Sequence, residues 1–127
     1  MIFQCTAALV TLAAINQGEL VLFYTQLLGQ EPQTYIPNVY AEFQLPGLRL
    51  GIFKPKDTHQ SEFEFVKSGM SLCLEVKDLS AAITHLTRLG YPPPGEILTA
   101  SHGREIYAYD PALNRLILHQ SSLQVVD

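Results

Sequence analysis

The stretch that decides the fold is Gly103 to Gln120, GREIYAYDPALNRLILHQ. Two strand-forming runs, Arg104 to Tyr109 and Arg115 to Gln120, flank Asp110-Pro111-Ala112-Leu113-Asn114, in which Asp, Pro and Asn are turn formers. The pattern predicts a β-hairpin. Its second arm alternates Leu116 and Leu118 with Arg115, Ile117 and His119, so one face is apolar and the other carries two polar groups and an isoleucine. In the first arm, Glu105, Tyr107 and Tyr109 share one face, and Arg104, Ile106 and Ala108 share the other. A bulge at the turn would exchange the two faces, so both orientations remain open.

Outward from the hairpin, Met70 to Val76 reads as a strand, with Ser71, Cys73 and Glu75 opposite Leu72, Leu74 and Val76. Asp78 is placed to cap a helix over Leu79 to Leu89, where Leu79, Ala82, Ile83, Leu86 and Leu89 form an apolar stripe, and Gly90 ends it. Tyr91-Pro92-Pro93-Pro94-Gly95 is a stiff connection to a short strand over Glu96 to Ala100. Residues 70–120 therefore read β, α, β, β, β.

The same order stands upstream, in residues 3–55. Phe3 to Leu12 is small and apolar, as for a strand covered on both faces. Asn16 and Glu19 have capping-box spacing ahead of Leu20, Phe23, Tyr24, Leu27 and Leu28, and Gly29 stops the helix. Pro32 and Pro37 bracket an edge strand, Gln33 to Ile36; Tyr40 to Leu45 and Leu48 to Phe53 follow around Pro46-Gly47. Residues 56–69 are polar and aperiodic and read as the connector. A chain that repeats its element order is an internal duplication. Arg49-Leu50-Gly51-Ile52-Phe53 lies over Arg115-Leu116-Ile117-Leu118-His119, and Leu28-Gly29 over Leu89-Gly90.

A chain of 127 residues with 47% hydrophobic and 16% charged residues is enough for one domain with its own core. A net charge of −4, with the eight Lys and Arg scattered, carries no electrostatic footprint for nucleic acid or an anionic membrane. Cys5 and Cys73 are too few for a disulfide framework and fit a reducing cytoplasm. The apolar run Cys5 to Ala14 has no preceding Lys or Arg and reads as a strand rather than a signal segment.

At Leu22-Phe23-Tyr24-Thr25-Gln26-Leu27-Leu28-Gly29, Leu74-Glu75-Val76-Lys77-Asp78-Leu79 and Tyr109-Asp110-Pro111-Ala112-Leu113-Asn114-Arg115-Leu116 the chain resembles the vicinal oxygen chelate superfamily. That group contains glyoxalase I, extradiol dioxygenases, and fosfomycin and bleomycin resistance proteins. The resemblance spans nearly the whole chain. It implies a single α+β domain over residues 1–127, two βαβββ modules whose curved sheets form a ligand cup, and frequently a homodimer. It also implies a divalent metal held by His or Gln on the first strand and Glu on the last strand of each module, acting as a Lewis acid. Carried across, those positions are Thr6 or Ala7, Gly51, Ser71 and Ile117, none of which is a credible ligand.

The expected protein is therefore of the glyoxalase and bleomycin resistance type, without cofactor or metal, and binds a small, partly apolar molecule in the cup without turnover. The candidate pocket is Arg49, Gly51, Phe53, Ser71, Cys73, Glu75, Tyr107, Arg115, Ile117 and His119. Phe43, Phe53 and Tyr107 are expected to supply apolar area, and Gly51, a glycine inside a strand, to enlarge the space. Arg49 and Arg115, at equivalent positions, are candidate holders of an anionic or carbonyl group. Cys73 reads as a small buried hydrophobe, with a thiol beside His119 as the reactive alternative. Two other readings stand beside this one. The first is a metal-dependent lyase or dioxygenase with relocated ligands among Glu75, His119, Glu42 and Arg49. The second is a non-catalytic dimeric interaction module.

Overall fold

The computed structural model describes residues 3–64 and 68–122. The chain divides into two compact units, residues 1–64 and 65–127. Unit one contains β1 (Val10–Ala13), α1 (Gln17–Leu28), β2 (Thr34–Ile36), β3 (Tyr40–Leu45) and β4 (Leu48–Phe53), followed by a 3₁₀ helix over Asp57–Phe63. Unit two contains β5 (Leu72–Glu75), α2 (Leu79–Leu89), β6 (Leu98–Ala100), β7 (Gly103–Tyr109) and β8 (Arg115–Ser121). The two sheets have the same order, β1-β4-β3-β2 and β5-β8-β7-β6, each with its first and last strands parallel. The architecture is α+β, two βαβββ modules.

Local chemistry explains the helices. Asn16 Oδ1 accepts from the Glu19 amide at 3.2 Å while Asn16 Nδ2 donates to the Glu19 carboxylate at 3.1 Å, a two-way cap on α1. Gly29 closes α1 at φ 67°, a left-handed turn that only glycine adopts without strain. In unit two, Asp78 accepts from the Ala81 amide at 3.0 Å, and Gln120 on β8 accepts from the Leu79 amide at 2.7 Å. The second bond ties α2 to the end of its own sheet.

Strand parity then separates two faces in each unit. Leu50 and Ile52 on β4 and Ala41 and Phe43 on β3 are fully buried, as are Leu20 and Tyr24 on α1. In unit two the buried set is Leu72, Leu79, Leu86, Ile106, Ala108, Leu116 and Leu118. Phe43 thus belongs to the core of its unit, on the face away from Glu42, and supplies no area to a ligand.

The first strand is shorter than the sequence implied. Phe3 to Leu9 is exposed and outside any strand, and β1 begins only at Val10. β1 has one neighbour, β4, and their parallel register starts at Val10 opposite Leu50, with residues 3–9 outside the ladder. Thr6 and Ala7 therefore lie off the sheet. Within the connector, the 3₁₀ helix is fastened by Phe63, whose ring meets Phe53 edge-on at 5.2 Å.

The β7–β8 hairpin is closed by a buried carboxylate. Asp110 Oδ1 accepts from the amides of Ala112 (2.9 Å) and Asn114 (3.0 Å), and Oδ2 accepts from Asn114 Nδ2 at 2.8 Å. Leu113 takes the left-handed conformation, φ 68°, that completes the loop. Tyr109 then pairs with Arg115, Tyr107 with Ile117 and Glu105 with His119, without a bulge. The open orientation question is resolved: Glu105, Tyr107 and Tyr109 share the face of Ile117 and His119. Asp110→Ala is expected to lower unfolding stability by roughly 1–3 kcal/mol, because it removes a charged acceptor from three part-buried donors of the loop; chemical denaturation measures it.

Candidate functional site

On unit two the face opposite α2 is built row by row across the strands. One row is Glu75, His119, Glu105 and Leu98; the next is Cys73, Ile117 and Tyr107. This places Cys73, Glu75, Tyr107, Ile117 and His119 of the predicted pocket together on one face. Cys73, Glu75 and Tyr107 are exposed on this face, and Glu105, Ile117 and His119 are half-buried.

His119 has a partner at both ring nitrogens. Its Nδ1 lies 2.6 Å from Glu75 Oε1 and its Nε2 lies 3.1 Å from His102 Nδ1. A carboxylate can only accept, so the neutral His119 ring carries its proton on Nδ1 and leaves Nε2 as an acceptor for His102. The two ring centroids lie 5.2 Å apart with planes 25° apart, so the rings meet nitrogen to nitrogen, close to edge to edge. His102 sits on the β6–β7 turn, which Ser122 pins by donating from its amide to His102 O (3.1 Å) and from Oγ to Ser101 O (2.9 Å). Gly103 makes the approach possible. Its φ is 145°, and a Cβ there would collide with the Gln120 carbonyl and stand 3.1 Å from His119 Nε2.

The remaining predicted residues are already engaged. Arg115 donates from Nε to Ser71 Oγ at 2.7 Å and from its terminal nitrogen to the carbonyls of Ser68 (2.7 Å) and Met70 (3.2 Å). It fixes the segment entering β5 rather than offering a free guanidinium. In unit one, Arg49 holds Glu42 in a fork, Nε to Oε2 at 3.0 Å and the terminal nitrogen to Oε1 at 2.9 Å, while Tyr40 donates its hydroxyl to the same carboxylate at 2.7 Å. The space beside Gly51 is taken by the Tyr40 ring, since a Cβ there would lie 2.7 Å from the phenolic oxygen. Gly51 thus admits a tyrosine instead of enlarging a cavity, and Phe53 is covered by Phe63.

Electrostatics follow the contacts. The Arg49 and Tyr40 hydrogen bonds hold the Glu42 carboxyl down to about 2, and burial together with the Glu42 hydrogen bond pushes the Tyr40 phenol up. Partial burial of the thiol, then the charges of Glu75 and Glu105, raise Cys73, so its thiolate is disfavoured. Cys73 is exposed as a residue, not the buried hydrophobe expected, and the Glu75 bond on His119 Nδ1 leaves no thiol–imidazole pair.

The duplicated register also revises the family's metal positions. Val10 opposes Leu50 as Leu72 opposes Leu116, so the equivalent of Ser71 in unit one is Leu9 rather than Thr6 or Ala7. Leu9, Gly51 and Ile117 have no donor atom, and Ser71 Oγ is occupied by Arg115. These residues do not fit the family metal. Of the relocated set, Glu42 and Arg49 of unit one satisfy each other, whereas in unit two Glu75 holds His119 through Nδ1 alone and leaves its Nε2 towards His102.

Sequence reasoning missed Tyr40 and His102, and it left Glu105 as a strand residue without a role. Counting outward from a five-residue Asp110–Asn114 loop would have placed Glu105 opposite His119 and Gly103 opposite Ser121, with His102 adjoining.

Against solved structures about nine-tenths of the chain finds counterparts. A glyoxalase/bleomycin resistance protein from Catenulispora acidiphila superposes with TM-score 0.66 at 23% identity, covering 89% of this chain and 96% of that one. The fosfomycin resistance protein FosX from Listeria monocytogenes gives 0.74 at 16% identity, covering 95% and 97%. The chain has the vicinal oxygen chelate fold. A lactoylglutathione lyase from Agrobacterium tumefaciens shares that fold, with TM-score 0.67 at 18% identity over 91% and 94%. No protein-family model and no curated protein matches the sequence. No helix among the described residues is long and apolar enough to cross a membrane.

The Glu42 assembly makes a pH prediction. Its folded value lies below the ordinary 4.5, so its contribution to stability is present above about 4.5 and is lost as pH falls towards about 2. In Arg49→Met, carboxyl-carbon NMR should find Glu42 titrating well above the wild-type position. An unchanged midpoint would show that the fork does not hold the charge.

Proposed function

We propose that the protein is a small-molecule-binding member of the glyoxalase and bleomycin resistance type, which holds its ligand on the open face of the second sheet without a metal at the family positions and without turnover. The observation that carries this reading is the residue set at those positions: Leu9, Gly51, Ser71 and Ile117 cannot supply a Lewis-acid centre, while the sheet around Ile117 retains an open, partly aromatic surface.

The chemistry of that surface selects the ligand. Both arginines considered for an anion are directed to partners of their own, Arg49 to Glu42 and Arg115 to Ser71 and the segment before β5, and the face carries Glu75 and Glu105. A neutral or cationic molecule with an apolar body fits it better than a free acid: Tyr107 and Ile117 give contact area and Glu75 with His119 give polar orientation. Fosfomycin and bleomycin, named with the structural neighbours, are natural first probes, and bleomycin is the cationic one of the two.

A homodimer in a reducing cytoplasm is the expected setting. The edge strands β2 and β6 leave Tyr35, Ile36 and Leu98 about half exposed, an apolar edge suited to a second copy. Thermal stability that rises with protein concentration would support the dimer, and a concentration-independent Tm would remove it.

Ligand binding is checked by amide NMR with bleomycin and a set of small aromatic amines and carboxylates. The expected result is saturable shifts at Cys73, Tyr107 and Ile117 for neutral or cationic compounds, a roughly tenfold weaker Kd in Tyr107→Ala, corresponding to about 1.4 kcal/mol, and no product over time. Shifts confined to residues off this face, or consumption of the compound, would defeat the reading.

A further inference from the structure

We propose that His102, Glu105 and His119 form a binding site for one divalent first-row transition metal ion, with Glu75 as the outer carboxylate that orients His119. The site lies at the end of the second sheet, outside the four positions at which the fold family implies a metal. It goes beyond the ligand-binding reading and does not depend on it.

Four features of the cluster support it. The donor atoms of His102, Glu105 and His119 lie within 4.8 Å of one another. Two imidazole nitrogens already face each other at 3.1 Å, close to the separation of about 3.3 Å that two ligands at about 2.0–2.1 Å adopt around a tetrahedral zinc ion. Glu105 is opposite His119 in the β7–β8 ladder, and its longer gap closes by rotamer changes of a half-buried side chain. The fourth feature is the Glu75 contact. Metal-ligating histidines ordinarily donate their other ring N–H to a carboxylate, which fixes the tautomer and raises basicity. Glu75 does this to His119 Nδ1 at 2.6 Å and leaves Nε2 facing the cluster.

The backbone is shaped for the same contact. Gly103, at a φ of 145° and without room for a Cβ, brings the His102 turn against β8, and Ser122 holds it there by two hydrogen bonds. Without a metal, the His102 Nδ1 proton bridges the two nitrogens. Binding through Nδ1 switches the His102 tautomer, the Nδ1 proton leaving to solvent as the exposed Nε2 takes one up, and replaces one weak N–H···N bond with two metal–nitrogen bonds. Two imidazoles and one carboxylate select zinc, nickel or iron(II) over calcium and magnesium, which prefer all-oxygen shells. Three protein ligands leave a coordination position open to water.

The test is equilibrium dialysis of the full chain against Zn²⁺, with Co²⁺ absorption reporting geometry and Mg²⁺ as the hard-cation control. Wild-type protein should hold one equivalent of zinc and show intense tetrahedral Co²⁺ bands, with no tight magnesium. Glu75→Gln should weaken zinc by roughly 10–100-fold while every direct ligand remains. His102→Ala, on an exposed turn and checked for folding by circular dichroism, should lose more. Cys5→Ser and Cys73→Ser should retain the equivalent, which excludes thiol binding. An equivalent that survives His102→Ala, or a wild-type protein that binds zinc no better than that variant, would overturn the site. Bleomycin-induced shifts at Tyr107 are read separately, so either proposal fails without the other.

Discussion

The register of one hairpin governs the chemistry of the second unit. Asp110, buried and bonded to two amides and a side-chain amide of its own loop, fixes that loop at five residues. Strand side chains alternate with a period of two, so one residue more or less in the loop would turn Glu105 and Tyr107 into the core and bring Ile106 to the surface. It would also move His102 away from His119. The polar row Glu75, His119, Glu105 is therefore a consequence of a turn that touches none of its members.

The two units show how one repeated plan reaches opposite outcomes. In the first, glycine at position 51 accepts the Tyr40 ring, and Tyr40, Glu42 and Arg49 close into a hydrogen-bonded group that satisfies its own charges. In the second, Ile117 stands at the equivalent place, Arg115 turns towards Ser71 and the Ser68 carbonyl, and the face is left to a histidine pair and two carboxylates. A duplicated backbone has kept its register while the two open faces have diverged in polarity. The proposed ligand site is accordingly confined to the second face.

Much of the fold was legible because its signals are local. The Asn16–Glu19 cap, the left-handed Gly29 and Gly90, the Asp78 cap and the alternation in Leu116 and Leu118 each act within a few residues, and each appears where the sequence placed it. The failures were of longer range. Whether Phe3 to Leu9 joins a sheet depends on a partner strand that local composition cannot reveal. The fate of Gly51 depended on a tyrosine eleven positions earlier, and the fate of each arginine on acceptors across the sheet. His102 was passed over because its value comes from a cross-strand neighbour, seventeen residues away, that only a settled loop length identifies.

The account stands on His119 being held as a directed acceptor by Glu75 with its other nitrogen turned to His102. Long-range proton–nitrogen NMR of the imidazole rings measures this directly at a pH where the rings are neutral. The arrangement predicts that His119 carries its proton on Nδ1, with an unprotonated Nε2, and that Glu75→Gln shifts this ring selectively. A His119 ring protonated on Nε2, or one whose nitrogen signals ignore Glu75→Gln, would contradict it.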